Sequence, residues 1–167
     1  PSRANRELGW TAEKTMDAIA LLKADHREVE DLFEKFEKAR EASRKGEIAR
    51  KICHELIVHS LIEEEIFYPA VRGKVEDDLL DESYVEHDGA KMLIAEILNG
   101  SPEDEFYDAK VKVLKEEIKH HVKEEEKPGE GFFAQARKGD VDMEALGDKL
   151  EARKGQLLAA IKAGGLP

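Results

Sequence analysis

Four stretches of the chain place their apolar residues at alternating intervals of three and four, and each stripe carries one histidine. The first runs Ile19, Leu22, His26, Val29, Phe33, Phe36, and the second Ile52, Leu56, His59, Glu63, Ile66, Ala70. The third runs Leu80, Tyr84, His87, Lys91, Ile94, Leu98, with Ala90, Leu93 and Ile97 beside it. The fourth runs Tyr107, Val111, Leu114, Ile118, His121, Glu125. Intervals of three and four keep side chains on one face of a helix. Ala, Leu, Glu, Lys and Arg fill the positions between, and all of them favour helix. No alternating strand pattern of useful length competes. The expected fold is all-α: an antiparallel up-down four-helix bundle, with helices near residues 15–42, 46–72, 79–99 and 102–127.

Gly and Pro punctuate this pattern. Gly46 lies in a polar stretch between the first two stripes, and Gly73 closes the run that follows Pro69. Asn99-Gly100-Ser101-Pro102 reads as a helix stop followed by a helix start, with Gly past the end, Ser as cap and Pro in the first turn. Pro128-Gly129-Glu130-Gly131 marks another break. Beyond it, residues 142–163 read as a fifth helix with Leu146, Leu150, Leu157, Leu158 and Ile161 on its apolar side and Asp140 or Asp142 as its cap. That helix could cover the bundle or pair with a second copy to form a homodimer. The expected organisation is a polar arm over 1–14 containing Trp10, a bundle domain over 15–138, and a C-terminal helix and tail over 139–167.

Composition narrows the function classes. The chain of 167 residues and 18.8 kDa fits one domain, and 41% hydrophobic residues supply one core. Its net charge of −11 and pI near 5.1 oppose a general partnership with nucleic acid or an anionic membrane surface. No run of eighteen apolar residues is present, and no charged-then-apolar leader opens the sequence. The single Cys53 excludes an internal disulfide framework and Cys-based zinc sites. A reducing cytoplasm is therefore the expected compartment.

The chemistry lies on the stripes. His59 and Glu63, and again His121 and Glu125, stand four residues apart, so each imidazole and carboxylate share a face one turn apart. Buried carboxylates are costly unless paired or bound to a cation. A pair of divalent or trivalent metal ions resolves this, with each Glu bridging both ions and the histidines filling terminal positions. His54 lies about 140° round the helix from His59 and His120 about 100° from His121, so both fall off the stripes. A lone stripe histidine is ordinarily a satisfied core residue, but four of them, one per helix and two with Glu at the same offset, point to a site. Glu64, Glu65, Glu124 and Glu126 read as solvated faces, with Glu64 able to add a ligand. Met, Phe and Tyr residues read as core, with Tyr68 a lesser candidate for touching the site. Cys53 reads as a small buried hydrophobe. Imidazole and carboxylate donors suit Fe and Mn, and also Zn.

These residues resemble the hemerythrin-like proteins, the HHE cation-binding domains. Leu22-Lys23-Ala24-Asp25-His26 with Glu28 is similar to the first motif of that family, and His59 to Glu63 followed by Glu64 to Pro69 is similar to the second. Glu86-His87-Asp88 and His120 to Glu126 resemble the third and fourth, so the resemblance spans about residues 17–138. It implies a four-helix bundle holding a non-haem, oxo- or hydroxo-bridged di-iron centre, with Mn or Zn as lesser alternatives. By position the implied metal ligands are His26, His59, Glu63, His87, His121 and Glu125. Glu63 and Glu125 would bridge, His26 and His121 would complete one iron, and His59 and His87 the other. Where the oxygen-carrying hemerythrins have a further histidine on the third helix, this chain has Lys91. Lys91 could place positive charge beside a bound anion or snorkel outward, and the second is expected. The set of four His and two Glu is similar to the variant in iron-centre repair proteins. Those proteins also carry a Cys-bearing segment before the domain, and residues 1–16 here contain no Cys. Pro128-Gly129 departs from the fourth motif and is expected to break the helix just past Glu125.

The resemblance implies a di-iron protein that binds or reacts with O2, NO or peroxide in sensing, storage or scavenging. A di-iron enzyme that dismutates peroxide or reduces O2 or NO, an iron-centre repair protein, and a metal-free partner-binding bundle are the alternatives.

Overall fold

Asp17 starts the first helix by accepting a hydrogen bond from the Ala20 amide at 2.8 Å, a side-chain cap on otherwise unpaired first-turn donors. The computed structural model describes residues 16–165, so the expected arm over 1–14 lies outside the described residues. Helix α1 spans Ala18–Lys38 and helix α2 spans Ala42–Ile62. Helix α2 widens into a π-helical turn over Glu63–Phe67 and closes as α3, Tyr68–Val71. Then follow α4 (Asp77–Asn99), α5 (Tyr107–Glu126), α6 (Phe132–Lys138) and α7 (Met143–Lys162). The fold is all-helical, as expected: α1, α2, α4 and α5 form the bundle, each packed on its two neighbours.

Three boundaries differ from the sequence reading. Helix α2 starts at Ala42, so Gly46 sits inside its second turn rather than before it. There a Cβ would come within 2.9 Å of Pro102 in the loop between α4 and α5, so the glycine serves close approach, not a break. Helix α5 starts at Tyr107, not 102, because Ser101 and Asp104 build their own turn. The Asp104 carboxylate accepts from the Ser101 amide at 2.7 Å, and the Ser101 hydroxyl accepts from the Glu103 amide at 3.3 Å. The expected stop at Gly100 does hold, with Gly100 as the C-cap of α4. The third difference is the π turn, which no periodicity announced. Pro69 has no N–H for the Glu65 carbonyl and its ring crowds that carbonyl. The widened turn takes up this misfit, and its closing bond runs from the Tyr68 amide to the Glu63 carbonyl.

The expected C-terminal helix is present and covers the bundle. Asp142 caps α7 by accepting from the Ala145 amide at 3.0 Å. Leu146, Leu150 and Leu157 of α7 are buried in one apolar cluster with Ile19, Leu22 and Ile62. Gly147 lets α7 cross the start of α1, because a Cβ there would collide with the Met16 carbonyl. A second apolar cluster gathers Phe33, Phe36, Ile52, Leu56, Ile94 and Leu114 at the other end of the bundle. Between the two clusters lies a polar layer of His26, His59, Glu63, His87, His121 and Glu125, all buried. Among the described residues no helix is long and apolar enough to cross a membrane.

Candidate metal centre

The six stripe residues converge. His26 on α1 and His59 on α2 bring their Nε2 atoms to 3.2 Å, and His87 on α4 and His121 on α5 bring theirs to 3.3 Å. Glu63 Oε1 lies 2.9 Å from His59 Nε2 and 3.4 Å from His87 Nε2. Glu125 Oε1 lies 3.0 Å from His121 Nε2 and 3.4 Å from His26 Nε2. Each carboxylate thus reaches one histidine of each pair, which is what a bridging role requires. These distances group the histidines differently from the partition implied by the resemblance. The groups able to hold one ion each are His26, His59 and Glu125, and Glu63, His87 and His121. The i, i+4 spacing places a His and a Glu on one face but says nothing about which helices face each other, and here α1 faces α2 and α4 faces α5 across the shortest gaps.

The donors fit a pair of cations. Both oxygens of Glu63, Oε1 of Glu125 and Nδ1 of His87 are buried and without a hydrogen-bond partner. Oε1 of Glu63 and Oε1 of Glu125 stand at ion-pair distance from histidine nitrogens without hydrogen-bond geometry. Protein interiors rarely tolerate such orphans, and a cation coordinated by them removes the penalty. Nitrogen and carboxylate donors of this kind suit Fe, Mn or Zn.

The outward-facing histidine nitrogens are held by further carboxylates. His59 Nδ1 lies 3.0 Å from Asp25, His26 Nδ1 2.8 Å from Glu126, and His121 Nδ1 3.2 Å from Glu86. Such partners fix the ring and raise its basicity as a ligand. His87 Nδ1 is 3.8 Å from Glu64, which instead takes two bonds of 3.0 and 3.1 Å from Lys91. The solvated-face reading of Glu64 and Glu126 is therefore corrected: both are half-buried and turned toward the site. Lys91 reaches outward as expected, its side chain 43% exposed. No period marks Asp25, Glu86 or Glu126 as partners of the site; their only sequence signal is that each is adjacent to a proposed ligand.

Burial and charge oppose each other at the histidines. Burial pulls His59 down, but the charges of Glu63 and Asp25 and the bond to Asp25 outweigh it and push it up to about 10. His121 is raised well above its ordinary value by Glu125 and Glu86 against the same burial. His26 and His87 are raised in the same way by Glu125 with Glu126, and by Glu63 with Glu64. Burial raises Glu63, and the charges of His59 and His87 reverse this and hold it well below the usual carboxylate range.

Aromatic rings and a small cavity complete the surroundings. Tyr68 is buried, its hydroxyl 3.3 Å from His87 Nε2 and 3.4 Å from Glu125 Oε2. In an α-helix Tyr68 would lie about 140° round from Glu63. The π turn, bonded from 68 back to 63, carries it one turn onward to the same face. Helix α5 ends at Glu126, just past Glu125 as expected, and the chain folds back so that α6 lays Phe133 flat on His26 at 5.8 Å and Phe132 against Tyr68 at 5.2 Å. A cavity of about 30 Å³ touches all four histidines and is otherwise walled chiefly by Val29, Leu56, Ala90, Ile94, Ile118 and Val122. Off-stripe His54 is half-buried, and His120 is exposed and pairs with Glu124 at 3.2 Å. Cys53 is buried and its thiol pushed up to about 12, an inert packing residue.

The family model described as the hemerythrin HHE cation binding domain matches residues 17–128, two thirds of the chain. The chain belongs to this family. A solved hemerythrin HHE cation binding domain-containing protein from Mycobacterium kansasii superposes with a TM-score of 0.73, covering 90% of this chain and 95% of that one at 21% identity, which shows the shared fold. A DNA nickase from Nostoc sp. is 27% identical over 114 residues, 68% of this chain. The hemerythrin-like chain described here spans about a third of that relative's length.

Proposed function

We propose that this HHE protein holds two iron ions and uses them to bind or react with O2, NO or peroxide in a reducing cytoplasm. The observation that carries this reading is the closed ring of six buried donors, in which Glu63 and Glu125 each touch one histidine of both pairs. His26, His59 and Glu125 would hold one ion, and His87, His121 and Glu63 the other. A ferrous pair so held supplies electrons and open coordination positions to a small oxidant.

The chain's own residues define what can reach it. The cavity beside the histidines, about 30 Å³, has room for one or two water-sized molecules, since about 10–15 Å³ suffices for one. Its Val, Leu, Ile and Ala walls favour an uncharged diatomic over a solvated anion. Phe133 over His26 and Phe132 beside Tyr68 close the side toward α6 and exclude bulk water. Tyr68 offers a hydroxyl proton between His87 and Glu125. In the metal-free site burial, with the charges of Glu125 and Glu63, raises this phenol well above its ordinary value, so it is protonated and offers a donor there.

Absorption spectroscopy on the iron-loaded protein tests the reading. Ferrous protein under nitrogen should be nearly colourless, gain near-ultraviolet charge-transfer bands on admission of air, and respond distinctly to NO and to peroxide. A spectrum that none of these agents changes would overturn it.

A further inference from the structure

Helix α7 lies outside the residues that the family model matches, yet its middle reaches the wall of the metal centre. Two adjacent cations do this in different ways. Arg153 holds Glu65 on the outer side of the π turn with bonds of 2.7 and 3.2 Å. Lys154 reaches inward: its Nζ is 2.6 Å from Asp25 Oδ1, and Asp25 Oδ2 is 3.0 Å from His59 Nδ1. Asp25 is 6% exposed and His59 is buried, so their contact is shielded from solvent, while Lys154 is half-buried at its end of the line.

The two histidine pairs are not backed alike. Behind His26 stands Glu126, which Arg27 also bonds. Behind His59 stands Asp25 with Lys154. Behind His121 stands Glu86, whose ion-pair partners are His120 and His121, with no Lys or Arg among the described residues. Behind His87 stands Glu64 with Lys91 on it, but at 3.8 Å from Nδ1 the carboxylate is beyond hydrogen-bond reach. A carboxylate behind an imidazole strengthens it as a ligand and favours the more highly charged metal. A cation on that carboxylate withdraws part of this effect and favours the lower oxidation state.

We propose that Lys154 is a positioning residue that acts through Asp25 and His59 to ease reduction at the His26–His59 position. The inference rests on the two-iron reading above. Lys154 fixes Asp25 so that its other oxygen accepts from His59 Nδ1, and its charge lowers the donor strength of that imidazole.

Stepwise reductive titration of the iron-loaded full chain, followed by Mössbauer spectroscopy, tests this. The unaltered protein should show two one-electron steps. Lys154→Met should lower the potential of one step by about tenfold in its ferric-to-ferrous ratio, ~59 mV for one electron, and leave the other step in place. Lys154→Arg should restore the unaltered values. Arg153→Met removes a contact of α7 without touching Asp25 and should shift neither step. Equal movement of both steps in Lys154→Met, the same shift in Arg153→Met, or no shift at all overturns the relay while leaving the two-iron reading intact. Failure of the unaltered protein to load two irons overturns that reading and this one with it.

Discussion

Glu63 stands 2.9 Å from His59, one turn along α2, at the residue where the α-helix widens into the π turn. The same carboxylate lies 3.4 Å from His87 on α4, so it ties α2 to its neighbour α4. Both its oxygens are fully buried without hydrogen-bond partners. Glu63→Gln keeps the shape and removes the charge. We expect iron content after iron-replete expression to fall to less than half that of the unaltered protein, read by elemental analysis. Full loading would show that Glu63 is not a ligand.

Metal loading should release protons and strengthen with pH. Burial lowers His59 but Glu63 and Asp25 raise it to about 10, against 6.5 for the free side chain. In the apoprotein this raised value contributes stability that is full below about 6.5 and lost as pH rises toward 10. An ion must displace that proton, so affinity should rise across the same window. Calorimetry in buffers of different ionisation enthalpy reads the proton count directly, and a pH-independent affinity with no proton release would contradict the assignment.

Tyr68 should act as a donor and not as a ligand. Its hydroxyl faces His87 and Glu125, and burial with the two carboxylates keeps it protonated. Ferric protein should lack a visible tyrosinate charge-transfer band. Tyr68→Phe should retain full iron content, with a stability loss of about 1 kcal/mol for the lost hydroxyl bonds. A resonance Raman tyrosinate signature that vanishes in Tyr68→Phe would contradict this.

The histidine stripes and the all-helical bundle were legible because burial of one helix face forces a 3–4 period on the sequence. That period placed Glu63 and Glu125 on the same faces as His59 and His121. It carried no signal for the pairing of helices across the bundle, which is why His26 joins His59 here and not His121. The π turn was equally silent, although Pro69 stood as a cause for it, and with it went the reach of Tyr68. Lys154 was unreadable for another reason: a residue on α7 meets Asp25 on α1 only through tertiary packing.

The cavity predicts an access effect. Ala90 lines the space beside the four histidines. Ala90→Val should leave iron content unchanged and slow NO or O2 association about tenfold in stopped-flow mixing, with about 1–3 kcal/mol of overpacking cost. An unchanged rate would place the entry route elsewhere.

Gly147 predicts a reversal of ordinary helix propensity. Gly→Ala in an exposed helix stabilises by roughly 1 kcal/mol. Here the new Cβ meets the Met16 carbonyl and the backbone of Asp17 and Ala18, so α7 must move off α1. Gly147→Ala should lower the thermal midpoint, and a raised midpoint would contradict the docking of α7.

The central claim is that six buried side chains from four helices hold two adjacent iron ions. Combined iron analysis and Mössbauer spectroscopy of protein expressed with iron-57 tests it most directly. The account predicts about two irons per chain, with ferric spins coupled to a diamagnetic ground state as expected of bridged ions. Fewer than about half an iron per chain, or a single uncoupled high-spin ferric signal, would contradict it.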